Sequence, residues 1–277
     1  MQLEKEDWQE PGCCFRMAAA SKEVEDGGEA TQIREVIQGL DALLAKDQVT
    51  EASAYLEKWL LYFEARKDWA SQITVYNEMM GLYRNTRERE KGLTAVERGL
   101  ARAREHGLSE TVSGGTTFVN AATTMKAFGR VREAMPYYEQ AFRAYGKKLS
   151  PEDYRFGGLF NNMALAFEEL GEYKKAETYF KKAMEIMEGL YPGSILEIAV
   201  TWVNLAVLYE KWDRAEECDG CLLRALEGFH DTKVPLDAYY AFNCRKCADT
   251  FGHFGYFRVK KELSEAADRI YGGEEAG

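Results

Sequence analysis

The chain repeats itself every 42 residues. Phe118-Val-Asn-Ala-Ala, Phe160-Asn-Asn-Met-Ala and Trp202-Val-Asn-Leu-Ala share one pattern: a large aromatic, Asn two residues on, and Ala two residues after that. A fixed period of 20–50 residues is the signature of stacked supersecondary units, none of which buries its apolar face alone. The grid extends well beyond these pentads. A small slot holds Ala122, Ala164, Ala206 and Ala248, and a large apolar slot three residues later holds Met125, Phe167, Tyr209 and Phe251. A turn slot reads Gly129, Gly171, Asp213 and Gly255. It is followed by a second small slot at Ala134, Ala176, Cys218 and Lys260. A bulky slot holds Tyr138, Phe180, Leu222 and Ser264, and a third small slot holds Ala141, Ala183, Ala225 and Ala267. Backwards, the pattern meets Tyr76, Met80, Tyr83, Gly92, Val96 and Gly99, and then Val36, Leu40, Leu43, Ala52, Leu56 and Trp59. Six units result, starting near 33, 73, 115, 157, 199 and 241.

Within a unit the apolar spacing is helical. Phe160, Met163, Ala164 and Phe167 follow the i, i+3, i+4, i+7 pattern, Gly171 interrupts it, and Tyr173, Ala176, Phe180 and Ala183 resume it. Each unit therefore reads as two antiparallel helices brought close by Ala, with aromatics between successive hairpins. Pro151 and Pro192 fall between units, where helices end or begin. No segment alternates with period two for long enough to argue a strand, so the expected fold is all-α.

Ala164-Leu-Ala-Phe-Glu-Glu-Leu-Gly-Glu-Tyr-Lys-Lys-Ala176, with Phe180 and Ala183, resembles the tetratricopeptide repeat. That repeat is usually about 34 residues long, so a 42-residue period implies about two extra helical turns per unit. Asn161-Asn-Met-Ala and the run Ala183-Met-Glu-Ile-Met-Glu-Gly-Leu-Tyr-Pro-Gly resemble the long-helix version found in kinesin light chains and many bacterial scaffolds. The resemblance covers roughly 31–272 and implies a right-handed α-solenoid of about six tetratricopeptide-type hairpins. It departs from the pattern in the second unit, where Arg87 stands in the turn slot and Gly92 and Gly99 in small slots.

The formal net charge is −10. Residues 1–30 carry eight acids (Glu4, Glu6, Asp7, Glu10, Glu23, Glu25, Asp26, Glu29) against Lys5, Arg16 and Lys22, without helical periodicity. This stretch is expected to be a disordered acidic leader, with 31–272 as the repeat array and 273–277 as a tail. An acidic chain without a basic stripe is a poor nucleic-acid binder. No apolar run reaches 18 residues, which excludes a membrane-spanning helix, and Gly12-Cys-Cys-Phe is too short for a signal-peptide core. The expected location is cytoplasmic, with reduced cysteines.

Asn120, Asn162 and Asn204 recur at the unit period, each on a first helix two residues before a small slot. In the superhelix that the resemblance implies, first helices line the concave surface. A row of amides there, each both donor and acceptor, suits the backbone of a bound peptide. The alternative is that each Asn bonds a neighbouring helix or a local carbonyl. In the sixth unit the same slot holds Lys246, with Arg245 beside it, so one end of the groove would be basic and suit an acidic group. A complete carboxylate clamp of the kind some tetratricopeptide proteins carry is not expected, because Ile37/Asp41, Asn77/Gly81, Val119/Thr123 and Asn161/Leu165 occupy its slots.

Cys218-x-x-Cys221 and Cys244-x-x-Cys247 approach a four-cysteine zinc spacing. Both pairs fall inside helices and on packing slots, which argues for core thiols and for no metal. His106, His230 and His253 lie at helix ends in different units, no catalytic motif is present, and no cofactor is implied. Ser113-Gly-Gly-Thr-Thr reads as a loop. Phe254 and Tyr256 lie outside the repeat slots, either as a self-association edge or folded over the last hairpin. The sequence thus points to a non-enzymatic scaffold that binds a protein or peptide in a concave groove. A receptor for a small signalling peptide and a zinc-stabilised oligomeric scaffold are the alternatives.

Overall fold

The computed structural model describes residues 29–44 and 48–272. Residues 1–28 of the leader, with Cys13 and Cys14, and the 273–277 tail lie outside the described residues. Among the described residues there are twelve α-helices and no strand. The first helices of the six hairpins are α1 (Glu29–Leu44), α3 (Trp69–Asn85), α5 (Val112–Ala127), α7 (Tyr154–Glu169), α9 (Ile195–Lys211) and α11 (Ala238–His253). The second helices are α2 (Val49–Arg66), α4 (Arg89–Glu105), α6 (Val131–Gly146), α8 (Tyr173–Glu188), α10 (Cys218–Phe229) and α12 (Phe257–Tyr271). Each first helix starts three or four residues ahead of the unit boundary that the period suggests, because the helix extends nearly two turns before its first repeat aromatic. Where the period suggests one array, the contacts sort the helices into two compact units that divide between Pro151 and Glu152, with three hairpins in each.

Five intra-hairpin turns are built alike. Arg87, Gly129, Gly171, Asp213 and Gly255 all have positive φ, between 58° and 86°. The next residue donates its N–H to the carbonyl five residues back: Glu88 to Tyr83, Arg130 to Met125, Glu172 to Phe167, Arg214 to Tyr209 and Tyr256 to Phe251, at 2.8–2.9 Å. This left-handed closure satisfies carbonyls that the helix end would otherwise orphan. The turn slot of the sequence is therefore a conformational slot, and Arg87 and Asp213 occupy it despite their Cβ.

The helix starts divide by position. Four first helices begin at a side-chain cap. Asp68 accepts from Ser71, Thr111 from Gly114, Asp153 from Arg155, and Asp237 from both Tyr239 and Tyr240. These acceptors fix where each hairpin begins. The second helices α4, α6, α8 and α12 have no side-chain cap, since the left-handed turn delivers the chain directly into them. Ser113–Thr117 is not a loop but the first turns of α5, started by the Thr111 cap.

In the N-terminal unit Leu56, Phe63, Ile73, Met80, Phe118 and Tyr138 are fully buried. Helix α4 approaches α3 so closely at Gly99 that a Cβ there would lie 2.7 Å from Met80 Cε. In the C-terminal unit Leu159, Phe180, Met187, Leu205, Leu208, Leu222, Phe251 and Leu263 form the interior. Each such side chain contributes about 1.5–3 kcal/mol on burial. In α12 the buried bulky residue is Leu263, not Ser264, and Lys260 lays its stem against Gly252 while its ammonium pairs with Asp249 at 2.6 Å.

Candidate functional site

The three repeat asparagines fall on first helices, but their surroundings differ. In the N-terminal unit Asn120 on α5 is only 6% exposed and makes no hydrogen bond among the described residues. In the C-terminal unit Asn162 on α7 and Asn204 on α9 are half-buried. Asn162 has no partner among the described residues. Asn204 Nδ2 donates to Asn161 Oδ1 at 3.4 Å, a long bond to the preceding first helix. Thr201 Oγ1 points at the same oxygen from 3.5 Å and donates more closely to Glu197 O at 2.7 Å.

Asn161, which the sequence offered only as a motif and clamp-slot residue, is the acceptor between these two first helices. An equivalent link recurs in the N-terminal unit, where Asn77 Nδ2 on α3 donates to Thr117 Oγ1 on α5 at 3.2 Å. Asn77 and Asn161, like Thr117 and Thr201, are two periods apart. Pairing polar residues 40 positions apart would have shown this signal.

The basic end differs from expectation. Arg245 is turned toward its own hairpin partner: Nη2 donates to Asp268 Oδ1 on α12 at 3.0 Å, and the guanidinium stacks on Tyr271 at 4.4 Å. Its charge is compensated there. Lys246 is half-buried on α11.

Successive hairpins of the C-terminal unit are tied by polar side-chain pairs. Lys211 Nζ reaches the buried Glu168 at 2.5 Å, and His253 Nε2 reaches Glu210 at 2.7 Å. Tyr239 OH donates to Glu197 Oε1 at 3.0 Å, and burial pushes the Glu197 carboxyl above its usual range. His230 pairs with Glu262 at 2.6 Å. In the N-terminal unit His106 closes α4 and stacks on Trp69, with ring centroids 4.3 Å apart.

All four helical cysteines are buried. Burial raises the Cys218 thiol, lifts Cys221 and Cys247 to about 11, and lifts Cys244 to about 12. Cys218 Sγ faces Ala206 O at 3.3 Å. Among the described residues no three His, Cys, Asp or Glu side chains converge on a point that could hold a metal ion.

The aromatics of the sixth hairpin are also rearranged. Tyr256 folds back, its OH donating to Asp219 at 3.0 Å and its ring meeting Phe251 edge-on at 6.1 Å. Phe257, two periods on from Tyr173, is 71% exposed. The corresponding residue of the fourth hairpin, Tyr173, instead contacts Trp212 of the fifth at 6.2 Å. Beside that contact lies an open depression of about 580 Å³, lined by Gly171, Tyr173, Lys174, Lys175, Tyr179 and Trp212 among others. No described helix is long and apolar enough to cross a membrane.

The stretch 157–229 covers most of α7 and all of α8 to α10. It matches the family model of the tetratricopeptide repeat. The hairpins of this segment are tetratricopeptide repeats. Two solved structures share the fold, both of a Podosopora anserina protein described as a kinesin light chain with nearly identical tetratricopeptide-like repeats. One is 17% identical, covers 75% of this chain and 99% of its own, and has a TM-score of 0.51. The other, a Q17M form, is 18% identical, covers 74% and 96%, and has a TM-score of 0.52. No curated protein matches the chain in sequence.

Proposed function

We propose that this chain is a non-enzymatic interaction module that holds a peptide segment or protein surface along the first helices of its repeats. The observation that carries this reading is the free amide of Asn162. It is half-buried on α7 without a partner among the described residues, one period from Asn204, whose side-chain oxygen accepts no hydrogen bond among them. Two amides spaced by one repeat offer donors and an acceptor to an extended backbone. Lys246 would add a positive charge on α11 of the same unit. The repeat family and the location inferred from the sequence fit a cytoplasmic adaptor.

The test is selection of 12-residue peptides on the full chain, followed by fluorescence polarisation with Asn162→Ala/Asn204→Ala. Each neutral hydrogen bond is worth about 0.5–1.5 kcal/mol, so two lost bonds weaken binding about 5- to 150-fold. Equal affinity for both proteins would show that the amides are structural.

Self-association through the sixth hairpin is a second reading, favoured by Phe257. Its equivalent Tyr173 packs against a following hairpin, whereas Phe257 faces solvent. Light scattering of Phe257→Glu against wild type decides it: a dimer that becomes a monomer supports this contact, and an unchanged mass removes it.

A further inference from the structure

Arg84 on α3 is 6% exposed. Its Nη1 donates to Thr124 Oγ1 on α5 at 3.2 Å, but Nε and Nη2 are sealed from solvent and have no partner. No carboxylate pairs with it among the described residues. A guanidinium taken out of water without a counter-charge is strongly unfavourable, and Arg is almost never fully buried unless paired. The two orphan donors share one edge of the fork, which is the edge that receives a carboxylate side-on. Arg155 shows that edge occupied: its Nε and Nη2 donate to the two oxygens of Asp153 at 2.7 and 2.8 Å. Arg84 has the same edge and no acid.

The helix surface is open one turn away. Gly81 precedes Arg84 by one turn, and a Cβ built there would meet nothing within 4 Å. One turn further back, Asn77 Oδ1 is also buried without a partner, while its Nδ2 is committed to Thr117. Asn77, Gly81 and Arg84 fall at i, i+4 and i+7, on one face of α3.

We propose that the Nε/Nη2 edge of Arg84 is a binding site for a carboxylate, which enters beside Gly81 and supplies the missing counter-charge. The carboxylate belongs either to a small free acid or to an acidic side chain of a bound peptide. A peptide would additionally give an N–H to Asn77 Oδ1. The site lies in the N-terminal unit and does not depend on the amides of α7 and α9.

The test is thermal melting of the full chain at fixed ionic strength with two probes. One is malonate. The other is a capped Ala-Ala-Glu-Ala-Ala peptide, with its Gln counterpart as control. At least one probe should raise the wild-type Tm by about 2–4 °C at about five times its Kd, and further as its concentration rises, as a ligand specific for the folded state does. R84M should melt at or above wild type without probe and show no shift with it. A response to malonate assigns a free acid; a response to the Glu peptide alone assigns a side chain. Gly81→Leu, which retains Arg84 and fills the opening, should also lose the response. The proposal is overturned by no shift with either probe, by an equal shift in R84M, or by an R84M that melts well below wild type.

Discussion

Replacing Gly171 by Ala isolates the left-handed turn from every packing effect. Its φ is +76°, yet a Cβ built there meets nothing within 4 Å. Any loss must therefore come from backbone conformation. An L-residue held in the left-handed region costs about 1–2 kcal/mol. Ala recovers about 0.4–1 kcal/mol by restricting the unfolded chain. The net loss is about 1 kcal/mol, or about 2–4 °C in Tm for a chain of this size. Two controls have the opposite sign. Gly157 lies within α7, and a Cβ there would be at an ordinary 3.6 Å from Ile186 and Met187. Gly157→Ala should therefore stabilise by about 0.5–1 kcal/mol. Asp213 already strains the same turn slot, with φ at 58°, so Asp213→Gly should raise the Tm by about 1–3 °C. The assay is a thermal melt followed by circular dichroism at equal protein concentration. If Gly171→Ala melts with or above wild type while Gly157→Ala behaves as stated, the conformational account of the turn slot is wrong.

Three further outcomes follow from the C-terminal unit. A maleimide pulse at pH 8 should leave Cys218, Cys221, Cys244 and Cys247 unlabelled in the folded chain and label them only as urea unfolds it, because burial both shields the thiols and raises their pKa. Glu197 binds its proton more tightly folded than unfolded. Its contribution is therefore full below the usual carboxylate range and is lost as pH rises through the raised folded value. Glu197→Gln, which can still accept from Tyr239, should accordingly gain Tm relative to wild type at pH 8 and gain little at pH 4; an equal change at both pH values would refute the linkage. Asn161→Ala should cost about 0.5–1.5 kcal/mol by removing the acceptor of Asn204 and Thr201, whereas Asn162→Ala should stay within about 0.5 kcal/mol of wild type. Paired melts of the two variants check the contrast.

Much of this was legible in the sequence. The 42-residue period, the Ala slots and the 3.6-residue spacing specify hairpins, since a small residue recurring on a helix face has no use except close approach. Ala122, Ala164 and Ala206 are indeed fully buried. The turn slot was legible as well, because glycine recurs where the chain needs positive φ. The site was less so. Periodicity locates Asn162 and Asn204 but cannot distinguish an amide that faces water from one that bonds across to Asn161. It placed Arg245 in the groove, where the α12 residues Asp268 and Tyr271 draw it aside. It gives Phe257 the same place in the period as Tyr173, although only Tyr173 meets an aromatic of another hairpin.

The local rules thus belong to the sequence: which residues turn, which cap, and which lie on the helix–helix seam follow from φ preferences, side-chain acceptors and spacing along one chain. The polar pairings belong to the tertiary structure. Asn77 with Thr117, Lys211 with Glu168, and the unfilled edge of Arg84 each depend on two helices some 40 residues apart being brought to hydrogen-bond distance. A separation of a few tenths of an ångström decides whether such a group is satisfied, and only the packed helices fix it.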